Sequence, residues 1–172
     1  MKYGSLRKLE LRDAQRMLEW MHDDIINQWF KYPFSEMTLE KVEEFIRSAN
    51  ELDESRHFAI TNEKDEYCGT ISLKNIDLIN SSAELAIVLR HECHGTGMAE
   101  AAFNDILNVA FFSYSLHKVY LNVLCDNERA INFYKKVGMR EEGEFRDAVK
   151  IKNSFKNLKW FGIIKGEQNA LD

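Results

Sequence analysis

Three consecutive stretches between Arg56 and Arg90, RHFAIT, EYCGTISLKNI and SSAELAIVLR, have a strand-like period and are separated only by the turn sequences NEKDE and DLINS. Connections that short join neighbouring antiparallel strands, so the middle of the chain predicts a three-stranded meander. The run that follows supplies a cover for it. From Gly97 to about Ser113, residues Met98, Ala101, Ala102, Ile106, Val109 and Phe112 make a predicted helix apolar on most sides, as a helix packed on a sheet should be. Upstream, Ser5 to Leu11 reads as a strand. Asp13 then opens an amphipathic helix through Ala14, Met17, Leu18 and Met21, and Thr38 N-caps a second helix with Glu40 or Lys41 in its first turn and Val42, Phe45 and Ile46 at helical spacing. Downstream come the strand KVYLNVL, a helix from Asn127 to Val137 ended by Gly138, and MREEGEFRDAVKI with FKNLKWFGIIK as a closing hairpin. The predicted order is βααβββαβαββ.

Nothing divides this pattern. Pro33 is the single proline, there is no repeat or low-complexity stretch, and 172 residues at 45% apolar suffice for one core, so residues 1–172 are read as a single domain. The first ten residues carry Lys2, Arg7, Lys8 and Glu10, and no apolar run approaches the about 20 residues of a membrane span, so neither a signal peptide nor a membrane is expected and the reading is cytoplasmic. Cys68, Cys93 and Cys125 are odd in number and lack CxxC spacing, which predicts reduced thiols rather than a disulfide framework or a zinc site. A net charge of −5 without a basic stripe argues against nucleic acid; it suits a cationic substrate or a plain solvated surface.

Two segments carry chemistry. In RHECHGTGMAEAA, Gly95 and Gly97 free the backbone directly before a helix start, where main-chain N–H groups and the helix dipole together favour a phosphate. A dinucleotide fingerprint is excluded because the third glycine position holds Glu100, and a P-loop because Gly-Lys-Ser/Thr is missing. His94 has no partner at metal-ligand spacing, so no metal is expected. The loop NQWFKYPFSEM crowds Trp29, Phe30, Tyr32 and Phe34, which either plug the core beneath it or line a substrate cleft; Trp29 and Phe34 are the candidates for the latter.

The strand order, Gly-x-Gly directly after the third meander strand, and DNERAINFYKKVGM from Asp126 to Met139 together resemble the GNAT family of acetyl-coenzyme A dependent N-acetyltransferases over nearly the whole chain. The paired helices after the first strand and the tail from Glu142 to Lys165 resemble the branch with ribosomal-protein N-terminal, spermidine and amino-sugar acetyltransferases. The resemblance implies an α/β (α+β) fold with a mixed, mostly antiparallel sheet of about seven strands, splayed between the fourth and fifth and flanked by about four helices. It implies acetyl-coenzyme A as cosubstrate, its diphosphate at His94, Gly95, Thr96, Gly97, Met98 and Ala99, with His94 serving as a backbone donor. Glu92 departs from the Gln or Arg that often stands three residues before the first glycine. It further implies that the strand bulges at Ile87, Val88 and Leu89 to free backbone donors for the acetyl carbonyl and pantetheine, and that Asn127, Ala130 and Tyr134 meet the pantetheine arm.

The reaction implied is attack of a neutral amine on a thioester. A lysine-like amine has a pKa near 10.4 and an α-amine near 8, so a base must take a proton, while the departing thiolate needs an acid. Tyr134 lies two helical turns beyond Asn127 and fits the acid. Glu84 is nominated as base, directly or through water, with His57, Asn122 and His117 as rivals; Asn122 is also a candidate substrate contact. The acceptor is a small-molecule amine or a protein N-terminus, with polyamines and amino-sugar nucleotides among the choices, and a homodimer is expected through a free sheet edge. The alternative function is a non-catalytic acyl-coenzyme A sensor or scaffold.

Overall fold

A computed structural model describes residues 1–49, 51 and 55–167. Strand β1 (Tyr3–Lys8) is followed by a single 3-10 turn, helix α1 (Ala14–Met21), a short α2 (Asp24–Asn27) and α3 (Leu39–Ala49). Strands β2 (Arg56–Asn62), β3 (Tyr67–Asp77) and β4 (Ser82–Leu89) form the expected meander. Then come α4 (Met98–Asn108), a π turn through Ser113, β5 (Lys118–Leu124), α5 (Glu128–Lys136), β6 (Arg140–Ile151) and β7 (Ser154–Ile164).

The seven strands form one sheet in the order β1-β2-β3-β4-β5-β7-β6, antiparallel everywhere except between β4 and β5. Two apolar clusters fill its two faces. One gathers Ile71, Leu85, Met98, Phe103, Ile106, Phe111, Tyr134 and Phe161 around α4 and α5, and the other gathers Met17, Trp20, Val42, Ile46 and Ala59 beneath α1 and α3. The turns are built by their polar residues: Asn62 Oδ1 accepts from the amides of Lys64 and Glu66, and Asp77 Oδ1 from those of Ile79 and Asn80.

The start of the chain departs from the sequence expectation. β1 ends at Lys8 rather than reaching Leu11, because the Glu10 amide donates to Asp13 Oδ2 (2.9 Å) and the Asp13 amide to the Glu10 carbonyl (2.8 Å), closing a turn where the strand would have continued. Arg7 clamps the same carboxylate through two hydrogen bonds of 2.7 Å. Helix α2 was not expected either; Asp23 caps it by accepting from the Ile25 amide (2.9 Å). Thr38 caps α3 as expected, its carbonyl accepting from the Val42 amide at 3.0 Å.

Asp13 is only 2% exposed, and removing it leaves the Glu10 amide without its acceptor and takes two of the Arg7 guanidinium's bonds, those to Asp65 and the Lys8 carbonyl remaining. Asp13→Ala is expected to lower unfolding stability by about 3 kcal/mol, measured by urea denaturation.

Candidate active site

β4 pairs with β5 only at Ser82–Lys118, Ala83–Val119 and Glu84–Tyr120. Beyond Glu84 the two strands part, and the edge of β4 from Leu85 to Leu89 that faces β5 has no strand partner. The expected bulge at Ile87 to Leu89 is not there. β4 keeps a constant register against β3 from Gly69–Leu89 to Lys74–Glu84, and its only irregularity lies below, between Lys74 and Asp77. Splaying alone therefore frees the edge.

The gap opens into a cleft of about 450 Å³ walled by Ile87, Val88 and Leu89 of β4, the turn at Cys93 to Gly97, and Asn127, Arg129, Ala130 and Phe133 of α5. Gly95 and Gly97 have φ of +73° and +81°, and a Cβ added to either would meet nothing within 4 Å. The left-handed backbone turns the chain beside the cleft, and the amides from Gly95 through Glu100 have no acceptor among the described residues. A row of free donors at the head of an eleven-residue helix, open to a cleft, fits a diphosphate. Thr96 braces the turn by donating to the Cys93 carbonyl (2.7 Å). Met98 is fully buried, so only its backbone can contribute.

His94 acts differently from the expectation. Its amide donates to the His91 carbonyl (3.1 Å) and is not available to a ligand; its ring lines the cleft instead. Nε2 lies 3.0 Å from the Leu89 carbonyl and Nδ1 2.9 Å from Arg129 Nη1, a pairing that requires neutral imidazole with the proton on Nε2. Burial, and then the Arg129 charge, hold its pKa below the ordinary value. Arg129, in the first turn of α5, thus brings an exposed cation to the phosphate end, and Lys136 stands on the same wall, paired with Glu100. Glu92 is not on that wall; Arg90 holds its carboxylate at 2.7 Å.

Asn127 N-caps α5, its Oδ1 accepting from the Ala130 amide (3.1 Å). Tyr134 lies two turns on, 8% exposed, its ring against Phe133 and Phe161. Its hydroxyl has no hydrogen-bond partner among the described residues, and burial pushes its pKa up to about 12, so it keeps its proton at every physiological pH.

A second cavity, also about 450 Å³, meets the first at Phe30, Ile87 and Val88. It lies on the α1–α3 face of the sheet. Two cross-strand rows make its floor: Thr70 and Val88, then His57, Ser72 and Ala86, while Lys74 begins the next. Trp20, Phe30, Tyr32, Phe34 and Phe45 enclose it, Phe34 touching Trp20, Phe30 and Tyr32 at ring-centroid distances of 5.2, 5.2 and 4.9 Å. His57 Nδ1 lies 2.8 Å from Ser72 Oγ, and burial, with Lys74 adding to it, lowers the imidazole pKa. At neutral pH it is an unprotonated base on the cavity floor.

The structure thus brings together Ile87, Val88, Leu89, His94, Gly95, Gly97, Ala99, Asn127 and Ala130 in one cleft and Phe34 in the other. Tyr134, Thr96 and Met98 are not among the residues lining either cavity, Tyr134 lying in the buried core next to Phe133, and three further expected residues fall elsewhere. Trp29 lines the first cleft, not the acceptor side. Glu84 and Asn122 line neither: Glu84 is occupied by Lys74 (3.3 Å), Asn75 (2.8 Å) and Asn122 (3.5 Å) where β4 and β5 still pair. His117 is exposed at the start of β5, leaving His57 as the rival base that reaches a cavity. Arg129 and Lys74 were missed. Arg129 sits in plain view within DNERA, beside the Asn127 cap.

Residues 5–140 match the family described as the acetyltransferase (GNAT) domain. The chain is 27% identical over 168 residues to a spermidine N(1)-acetyltransferase of Vibrio cholerae serotype O1, covering 95% of this chain and 94% of that one. It is 29% identical over 153 residues to the spermidine N(1)-acetyltransferase of Escherichia coli K12, covering 88% and 81%. Among solved structures, a spermidine N-acetyltransferase from Vibrio cholerae in complex with CoA and spermine superposes with a TM-score of 0.87 at 25% identity, covering 96% of this chain and 97% of that one.

Arg129→Ala is expected to raise the dissociation constant for coenzyme A about tenfold by removing one charge-assisted contact. Gly97→Val should weaken it further, since a β-branched residue resists positive φ and its side chain enters the cleft; calorimetric titration measures both.

Proposed function

This chain belongs to the GNAT family of acetyl-coenzyme A dependent N-acetyltransferases, and we propose that its acetyl group passes to a primary amine where the two cavities meet, at Ile87 and Val88. The observation that carries this reading is the junction: a cleft with free amides at one end opens onto a separate cavity floored by a neutral imidazole.

Acetyl-coenzyme A supplies the activated thioester; the chain's own groups do the rest. The amides from Gly95 to Glu100, with Arg129, hold the diphosphate, and Asn127 with Ala130 flanks the pantetheine arm. The unpaired edge of β4 offers backbone N–H groups to the carbonyl oxygen, donors already in place before charge develops there. His57 takes the ammonium proton on Nε2, with the Ser72 hydroxyl fixing the ring from the Nδ1 side. Tyr134 donates to the sulfur as it leaves. A phenol this far above its ordinary pKa would be a poor acid in water, but the thiolate is disfavoured by the same burial, so donation remains matched.

The acceptor is an amine of small size, in keeping with a second cavity of about 450 Å³. Self-association belongs to the same reading: β6 ends the sheet and carries Phe145 57% exposed, an edge suited to a second copy. Sedimentation velocity should give a dimer that Phe145→Glu converts to monomer; a monomeric parent protein would refute it.

Tyr134→Phe is expected to lower kcat about 100-fold and leave coenzyme A affinity unchanged. The pH profile tests His57. Because its pKa is depressed, the base form holds above pH 6.5 and is lost only as pH falls through a lower value. kcat should therefore show an acid limb below pH 6.5, absent in His57→Gln, and no alkaline limb until Tyr134 titrates near 12. A limb that persists in His57→Gln would return the role to another group.

A further inference from the structure

We infer that the acceptor is a small primary monoamine carried on an aromatic or branched apolar body, and not a polyamine; this rests on the transferase reading above. The charges on the cavity walls decide the matter. Among the described residues, the ionised side chains lining the second cavity are those of Lys31, at the exposed rim, and Lys74, and no carboxylate lines it. Glu84, the acidic group that touches Lys74, lies outside the walls and is already shared among Lys74, Asn75 and Asn122. A polyamine presents one nitrogen for acetylation and must keep the others protonated within a few bonds. Those ammonium groups would enter a largely aromatic cavity where Lys31 repels them, Lys74 is already paired with Glu84, and, among the described residues, no carboxylate on the walls replaces their water.

A monoamine meets the opposite situation. The enclosure and the two lysines disfavour its charged form, so entry itself promotes the neutral nucleophile, and His57 accepts the proton. Its body meets edges and faces of Trp20, Phe30 and Phe34, which pack on each other at 5.2–5.9 Å and leave their rings toward the cavity. The polar atoms nearby are committed: Trp20 Nε1 donates to Tyr67 Oη (2.9 Å), which pairs in turn with Thr70 Oγ1 (2.7 Å), and Ser72 faces His57. A volume of about 450 Å³ lies in the small-ligand range.

The test compares 2-phenylethylamine with spermidine, first as ligands of the coenzyme A-loaded protein by calorimetry and then as substrates with acetyl-coenzyme A. The expected result is binding of 2-phenylethylamine and a kcat/KM at least about tenfold above that for spermidine. Phe34→Ala should erase most of that preference without changing the KM for acetyl-coenzyme A, and Phe34→Leu, which keeps the wall apolar, should retain part of it. Lys31→Glu should move kcat/KM toward spermidine. Spermidine used as well as or better than 2-phenylethylamine overturns the inference, as does failure of 2-phenylethylamine to bind. If 2-phenylethylamine binds and neither amine is acetylated, the acceptor assignment stands and the transferase reading fails.

Discussion

Everything at the site follows from the separation of β4 and β5 after Glu84 and Tyr120. A parallel pair that continued would satisfy both backbones and leave a closed sheet. Here β5 turns toward β7 while β4 stays with β3, and the backbone groups along the outer edge of β4 are left without a strand partner. Unpaired backbone is costly when buried, so such an edge persists beside a cleft that a ligand or water can fill. Helix α5 stands across the gap, and the turn at Gly95 to Gly97 closes its end.

That one opening serves two chemistries because β4 presents different things in different directions. Along its edge it offers backbone to the coenzyme cleft, and on the α1–α3 face it offers Ala86 and Val88 as floor for the acceptor cavity. The two cavities differ accordingly. The first is bordered by free amides and Arg129 and suits an anion; the second is aromatic and suits a neutral nucleophile. Tyr134 and His57 lie on opposite sides of the sheet, so in the proposed mechanism donor and acceptor of protons stay apart until both substrates bridge them.

Most of this frame was legible from local signals. Period-two stretches between Arg56 and Arg90 located the meander, Gly-x-Gly located the turn, and the spacing from Asn127 to Tyr134 located one wall. What could not be read was register. That His57 lies opposite Ser72 and Ala86, and Lys74 opposite Glu84, depends on how strands pair across turns, and alternation alone does not say which row sits beneath a cavity. Glu84 and Asn122 were misplaced for that reason: Glu84 sits at the last β4–β5 pair, opposite Tyr120, and Asn122, two residues farther along β5, turns to Glu84 (3.5 Å) rather than to a cavity. The bulge in β4 was implied by the family resemblance, and the strand frees its edge by losing a neighbour rather than by gaining a residue. The end of β1 depended on a capping turn set by Asp13, whose clamp by Arg7 has no local signature.

The division of labour between backbone and side chains bears on how such a protein can change. In the proposed reading the coenzyme is met chiefly by main-chain amides and by glycines whose role is to be empty, a recognition device indifferent to most of its neighbours' identity. In the same reading the acceptor is met by rings and lysines held on two helices, one loop and two strands, side chains that substitution can change. Drift can therefore rewrite which amine is accepted while the acyl donor stays the same, so the evolutionary lability of this scaffold is confined to one of its two chambers.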